Sequence, residues 1–137
     1  MCLKNVVISI QTLMSKEPYF NQPGVQGELR EGESERYSRI VQHETIRVAV
    51  CDAVDACLRG SPQFPLPLRQ VILRSFLDYF EKYVEAVGCN LDLAGTTMCG
   101  THGNLHVPYR YKTLLGRLLI LRRKVQESLK SDDQERK

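Results

Sequence analysis

Residues 67–88 read Pro-Leu-Arg-Gln-Val-Ile-Leu-Arg-Ser-Phe-Leu-Asp-Tyr-Phe-Glu-Lys-Tyr-Val-Glu-Ala-Val-Gly. Leu68, Val71, Ile72, Phe76, Tyr79, Phe80, Tyr83, Val84 and Val87 recur at the spacing of one helix face. Pro67 suits the first helical position, where its missing N–H costs nothing. Gly88 reads as a left-handed cap that stops the helix near Val87. A helix with this much apolar surface needs partners on the same chain, so a helical architecture follows.

Reading outward from that helix supplies the partners. Upstream, Arg-Gly-Ser-Pro-Gln-Phe-Pro-Leu-Pro at 59–67 is a punctuated turn. Before it, Ser34 is a candidate N-cap for a long helix from about Glu35 to Leu58. Its stripe is Tyr37, Ile40, Val41, Val48, Cys51, Val54 and Leu58, broadened by Ile46, Val50 and Cys57. Residues 16–33 hold Pro18, Pro23-Gly24, Gly27 and Gly32 and read as a loop. A first helix is expected over 3–15, with Leu3, Val6, Val7, Ile10, Leu13 and Met14 as its apolar face.

Downstream, Leu91 and Leu93 alternate with polar neighbours, as do Leu105 and Val107, which suggests a short β-hairpin near 91–107. A last helix is expected over about 109–130. Tyr111, Leu114, Leu115, Leu118, Leu121, Val125 and Leu129 face inward. Residues 131–137 are all polar or charged and read as disordered. The fold class is therefore mainly α, with four helices packed antiparallel or nearly so.

Composition narrows the function classes. The 137 residues suit about one domain, 42% hydrophobic and 26% charged, as in ordinary globular proteins. A formal net charge of +3 is too mild to argue for nucleic acid, which would call for a strong basic stripe and a motif. No apolar run reaches the ~20 residues that span a bilayer. The short run Val6–Ile10 has no small-residue cleavage site after it, so an exported leader is not expected. Five cysteines without framework spacing read as reduced thiols of the cytosol or nucleus.

Two blocks carry a family resemblance. The run Val6-Val7-Ile8-Ser9-Ile10-Gln11-Thr12-Leu13-Met14, followed by Pro18 and Pro23, resembles the crossover helix and following loop of ubiquitin-conjugating enzymes. Arg36-Tyr37-Ser38-Arg39-Ile40 is similar to the start of the next helix in that fold. The nearer likeness is to the Z subfamily, whose members carry a long C-terminal extension. Its marks here are His43 through Asp52, Pro67-Leu68-Arg69, Ser75-Phe76-Leu77, Gly95-Thr96-Thr97-Met98, and Leu118 through Val125. The likeness covers about residues 5–128.

The resemblance implies the C-terminal helical half of the ubiquitin-conjugating α/β fold over 1–58. It implies a helical extension over 59–130 and a tail at 131–137. It also implies partners: ubiquitin or a ubiquitin-like modifier, an activating enzyme and a ligase, with no cofactor, nucleic acid or membrane. Asn5, Ile8 and Thr12, at i, i+3 and i+7, share the helix face that contacts the modifier in the family. The family's catalytic half would lie upstream of Met1. Its chemistry needs a thiolate nucleophile and a preorganised oxyanion donor, the Asn of a His-Pro-Asn triplet. This sequence contains no His-Pro-Asn and no tryptophan. Cys2 lies too close to the crossover helix to be the family's cysteine. The chain is therefore expected not to form the ubiquitin thioester. Alternatively, it is a stand-alone helical interaction module.

Other constellations favour plainer readings. Cys89, Cys99, His102 and His106 could be read as zinc ligands, but Cys89 lacks a close partner and a polar loop is preferred. Cys51 and Cys57 read as small buried hydrophobes. His43 beside Glu44, and Asp52 with Asp55, read as solvated surface. Arg110, Lys112, Arg117, Arg122, Arg123, Lys124 and Lys130 make the last helix basic. That pattern suits a solvated face or, functionally, a docking face for an acidic partner.

Overall fold

A computed structural model describes residues 2–13, 18–21, 32–98 and 107–135. Among these, α1 spans Leu3–Leu13 and a single 3-10 turn spans Pro18–Asn21. Next, α2 (Glu33–Glu44), a π-helical segment (Thr45–Asp52) and α3 (Ala53–Leu58) form one continuous helical run. α4 spans Leu66–Gly88, a 3-10 turn spans Leu91–Leu93, and β1 (Thr97–Met98) pairs with β2 (Val107–Pro108). α5 spans Tyr111–Glu135. The mainly helical class and a small hairpin both agree with the sequence.

The contacts divide the chain into two compact units, Met1–Gln42 with Thr97–Val107, and His43–Thr96 with Pro108–Lys137. In the first unit, the Tyr19 hydroxyl donates to Glu33 Oε2 at 2.9 Å, and its ring meets Phe20 and Tyr37 edge-on. Tyr19 and Glu33 are both buried. The amide of Arg36 bonds the carbonyl of Gly32, whose φ of 77° only glycine adopts freely. That places Gly32, rather than Ser34, at the entry of α2.

The second unit is built around α5. Tyr111, Leu114, Leu118, Leu121 and Val125 are buried at alternating three- and four-residue steps, the spacing of a helix–helix seam. α4 answers with Leu73, Phe76, Phe80 and Val87. Gly95 bonds Tyr109 while Glu81 pairs with Arg122, so the two strings of residues run in opposite directions. The guanidinium of Arg122 lies 4.5 Å from the centre of the Phe80 ring, adding a cation–π contact at the seam edge. The π segment and α3 close a third side with Ile46, Cys51, Val54 and Cys57.

Several local features differ from the sequence reading. Ile46 and Cys51 are five residues apart, about 140° on an α-helix. Wider i→i+5 bonding, seen where the Ala53 amide reaches the Val48 carbonyl, turns both toward the interior. Val48, expected inside, is left exposed. Gly88 is helical rather than left-handed, and Asn90 Nδ2 donates to the Ala86 carbonyl at 2.8 Å to finish α4. The left-handed glycine is instead Gly60, φ 72°, after α3. There the Gly60 and Ser61 amides bond the Cys57 and Ala56 carbonyls in a Schellman closure.

Leu91 and Leu93 form a 3-10 turn, and the hairpin strands begin later, at Thr97 and Val107. Residues 131–135, expected to be disordered, continue α5. Ser131, Asp132 and Asp133 are weak helix formers, but a preformed helix is prolonged cheaply because each added residue gains a hydrogen bond without a new nucleus. The Ser131 hydroxyl also donates back to the Glu127 carbonyl.

The seam makes a sharp contrast between neighbours. Leu118→Ala is expected to lower unfolding stability by about 3 kcal/mol. Leu119→Ala, on the solvent side, should change it by no more than about 0.5 kcal/mol. Urea denaturation followed by circular dichroism measures both.

Candidate functional site

The densest polar geometry among the described residues surrounds His43. It is the penultimate residue of α2, and its side chain is only 2% exposed. Its Nε2 accepts the backbone N–H of Arg110 at 3.1 Å, and its Nδ1 lies 2.9 Å from Glu44 Oε1. Accepting an amide at Nε2 places the ring proton on Nδ1, where it donates to the carboxylate. The rings of Tyr109 and Tyr111 stack on each other and meet the imidazole edge-on, at 5.6 and 5.0 Å. Tyr109 is held in turn by backbone bonds to Gly95 and Thr96. The Arg110 carbonyl accepts the Leu114 amide, so His43 grips the residue that starts α5.

His43 was expected at the surface, because neighbouring helix residues do not face each other. The structure corrects that reading: the carboxylate bends back to the ring, and the second partner comes from 67 residues away. No local pattern announces such a contact. With both nitrogens engaged, the imidazole positions backbone and has no free nitrogen for proton transfer.

An alternating string of charges continues from this node. Arg47 Nε donates to Glu44 at 2.9 Å, and that bond holds the Glu44 carboxyl below its ordinary value. Arg117 Nη2 reaches Asp52 Oδ1 at 2.6 Å, with Arg47 at 3.9 Å on the other oxygen of the same carboxylate. Asp55 sits between Arg59 and Arg117. Asp52 and Asp55 are therefore ion-paired, correcting their reading as simply solvated. They join the π segment and α3 to α5. These pairs are part-exposed, so each contributes modestly and the string acts as a register device.

The thiols divide by environment. Cys51 and Cys57 are buried as expected, and loss of water pushes the Cys51 thiol up to about 11 and Cys57 upward. A nucleophilic thiol needs the opposite shift. Cys2 and Cys89 are exposed. Cys99, His102 and His106 lie outside the described residues. Asn5 and Ile8 lie exposed on α1, with Ile8 at 49%; Thr12 falls within α1. Leu3, Val6 and Val7, expected on an apolar face, are also exposed.

No family model matches the chain. Curated proteins do, over nearly its whole length. It is 41% identical to ubiquitin-conjugating enzyme E2 Z of Homo sapiens over 133 residues, 97% of this chain and 36% of that protein. The chain is related to ubiquitin-conjugating enzyme E2 Z. The Xenopus tropicalis protein of that name is 38% identical over 125 residues, and the Danio rerio protein 37% over 131. The chain spans about a third of the length of the ubiquitin-conjugating enzyme E2 Z proteins it matches. Identity at this level agrees with the resemblance read from the sequence blocks.

Two outcomes test the geometry. His43→Phe keeps a ring but leaves the Arg110 N–H without its acceptor, and should cost about 1–3 kcal/mol of unfolding stability by urea denaturation. Cys51 holds its proton more tightly in the folded chain than at the ordinary value of ~8.5. Its contribution is present below that pH and lost as pH rises toward about 11. The melting temperature should fall over this window, and Cys51→Val should flatten the fall.

Proposed function

We propose that the chain is an E2-Z-like component of a ubiquitin or ubiquitin-like transfer pathway that does not itself carry the modifier as a thioester. The observation that supports this most is the 37–41% identity to ubiquitin-conjugating enzymes E2 Z over 91–97% of the chain. It is joined to a sequence without His-Pro-Asn. Transfer from a thioester needs a thiolate and a donor aimed at the developing oxyanion. Cys51 and Cys57 are buried with raised thiols, the wrong direction for a nucleophile. In this reading, residues 1–58 correspond to the crossover helix, loop and long helix of the family fold, and 59–130 to the extension. The modifier, its activating enzyme and a ligase are the partners, met in the cytosol or nucleus, where thiols stay reduced.

A second reading, a non-catalytic helical module that competes for these partners, is favoured by one observation. α1 keeps Leu3, Val6, Val7 and Ile8 exposed. Asn5, Ile8 and Thr12 would be its contact with the modifier.

Incubation with activating enzyme, ATP and fluorescent ubiquitin should give no reducible adduct on this chain. A thiol-sensitive band would overturn the inactive reading. In the same preparation, amide shifts at Asn5, Ile8 and Thr12 on adding ubiquitin, lost in Ile8→Asp, are expected of the competing module. Unchanged spectra would count against it.

A further inference from the structure

The solvent side of α5 carries a pattern that neither the packing nor the proposed pathway role uses. Residues 109–126 contain six cations and no Asp or Glu: Arg110, Lys112, Arg117, Arg122, Arg123 and Lys124. Two of the six are engaged within the second unit, Arg117 with Asp52 and Arg122 with Glu81 and Phe80. The other four are exposed. Lys112 and Lys124 form no ion pair with a described residue, and Arg123 reaches only Glu127, at 3.9 Å.

Among these cations stand Leu119 and Ile120, each 52% exposed. One turn earlier lies Gly116, above which a Cβ would meet nothing within 4 Å. Steps of three and four connect Lys112 to Gly116, Gly116 to Leu119 and Ile120, and these to Arg123 and Lys124, so all six are neighbours on the helix surface. The arrangement is an apolar pair beside a bare, exposed stretch of helix backbone, bracketed by positive charge at both ends.

We propose that this face of α5 docks an acidic protein segment bearing apolar anchors. The Leu119–Ile120 pair would take its apolar side chains, the bare backbone at Gly116 would let it approach closely, and Lys112, Arg123 and Lys124 would take its carboxylates. Charge complementarity selects the sign of the partner, since the face has no anion to satisfy its own cations before Glu127. The apolar centre selects protein over nucleic acid, because phosphates set against Leu119 and Ile120 would lose water without gaining a partner. Two aliphatic side chains are too narrow an apolar face for a lipid surface, which calls for a broad apolar side buried in the headgroup region. Apolar anchoring inside a polar rim is the usual anatomy of a docking patch.

Fluorescence anisotropy on the full chain tests this with two labelled helical peptides of equal charge. Both carry Glu; only one carries Leu at i and i+4. The Leu-bearing peptide should bind the more tightly, and its affinity should fall about tenfold or more in Leu119→Ser/Ile120→Ser and in Lys112→Glu/Lys124→Glu. Gly116→Leu, which blocks close approach to the helix backbone, should weaken it similarly, with circular dichroism melting confirming that each variant is folded. Equal binding of the two peptides would overturn the proposal, leaving only diffuse electrostatics. So would absence of binding. Sedimentation with phosphatidylserine vesicles, if it exceeded peptide binding and depended on Leu119 and Ile120, would overturn it in favour of a lipid surface.

Discussion

The constraint on which the second unit depends is burial of one stripe of α5. Tyr111, Leu114, Leu118, Leu121 and Val125 are each almost wholly removed from water. Every other element of that unit packs on them: α4 along the seam, the π segment and α3 on a second side, the 3-10 turn near its start. Full burial of such side chains stabilises by roughly 1.5–3 kcal/mol each before chain entropy is counted. The polar contacts then fix where α5 sits. His43 holds Arg110, the residue just before its first turn, and Arg117 ties its middle to Asp52. Apolar burial supplies the drive, and the polar contacts supply register.

The same helix divides its faces by chemistry. One side is consumed by the fold. The other keeps cations and two aliphatic side chains in water. A helix of 25 residues has surface enough for both, because its buried stripe needs only positions three and four apart. This division explains how a basic helix can be structural and still present a surface. The buried thiols of Cys51 and Cys57 belong to the packing of the same unit.

The stripe of α5 was legible in the sequence, with only Leu115 and Leu129 left half-buried. α4 was legible as a helix, but it starts at Leu66, one residue before Pro67. It buries Leu73 with Phe76, Phe80 and Val87, while Leu68, Val71 and Tyr79 of the expected stripe stay exposed. Periodicity reports one face of one helix, and in α5 that face is the buried one. The π segment was not legible, because a change of hydrogen-bond register leaves no mark on composition. Nor was the burial of His43, whose partner Arg110 lies far along the chain. Asp52 and Asp55 read as solvent-facing because Arg117 is equally distant in sequence. Gly88 and Gly60 exchanged roles for a related reason: an Asn two residues on could close α4 without a left-handed glycine. Of the candidate site, the helix carrying Asn5, Ile8 and Thr12 was legible as a helix, but its apolar periodicity gave no account of why Leu3, Val6 and Val7 stay exposed.

Native-state hydrogen exchange tests the central claim most directly. If the α5 seam carries the second unit, the amides of Leu114 through Val125 should exchange only through global unfolding, with protection equal to the stability measured in urea. They should respond in full to a destabilising change such as Leu118→Ala. Exchange of those amides by local opening, as fast as at the exposed start of α1, would contradict the account.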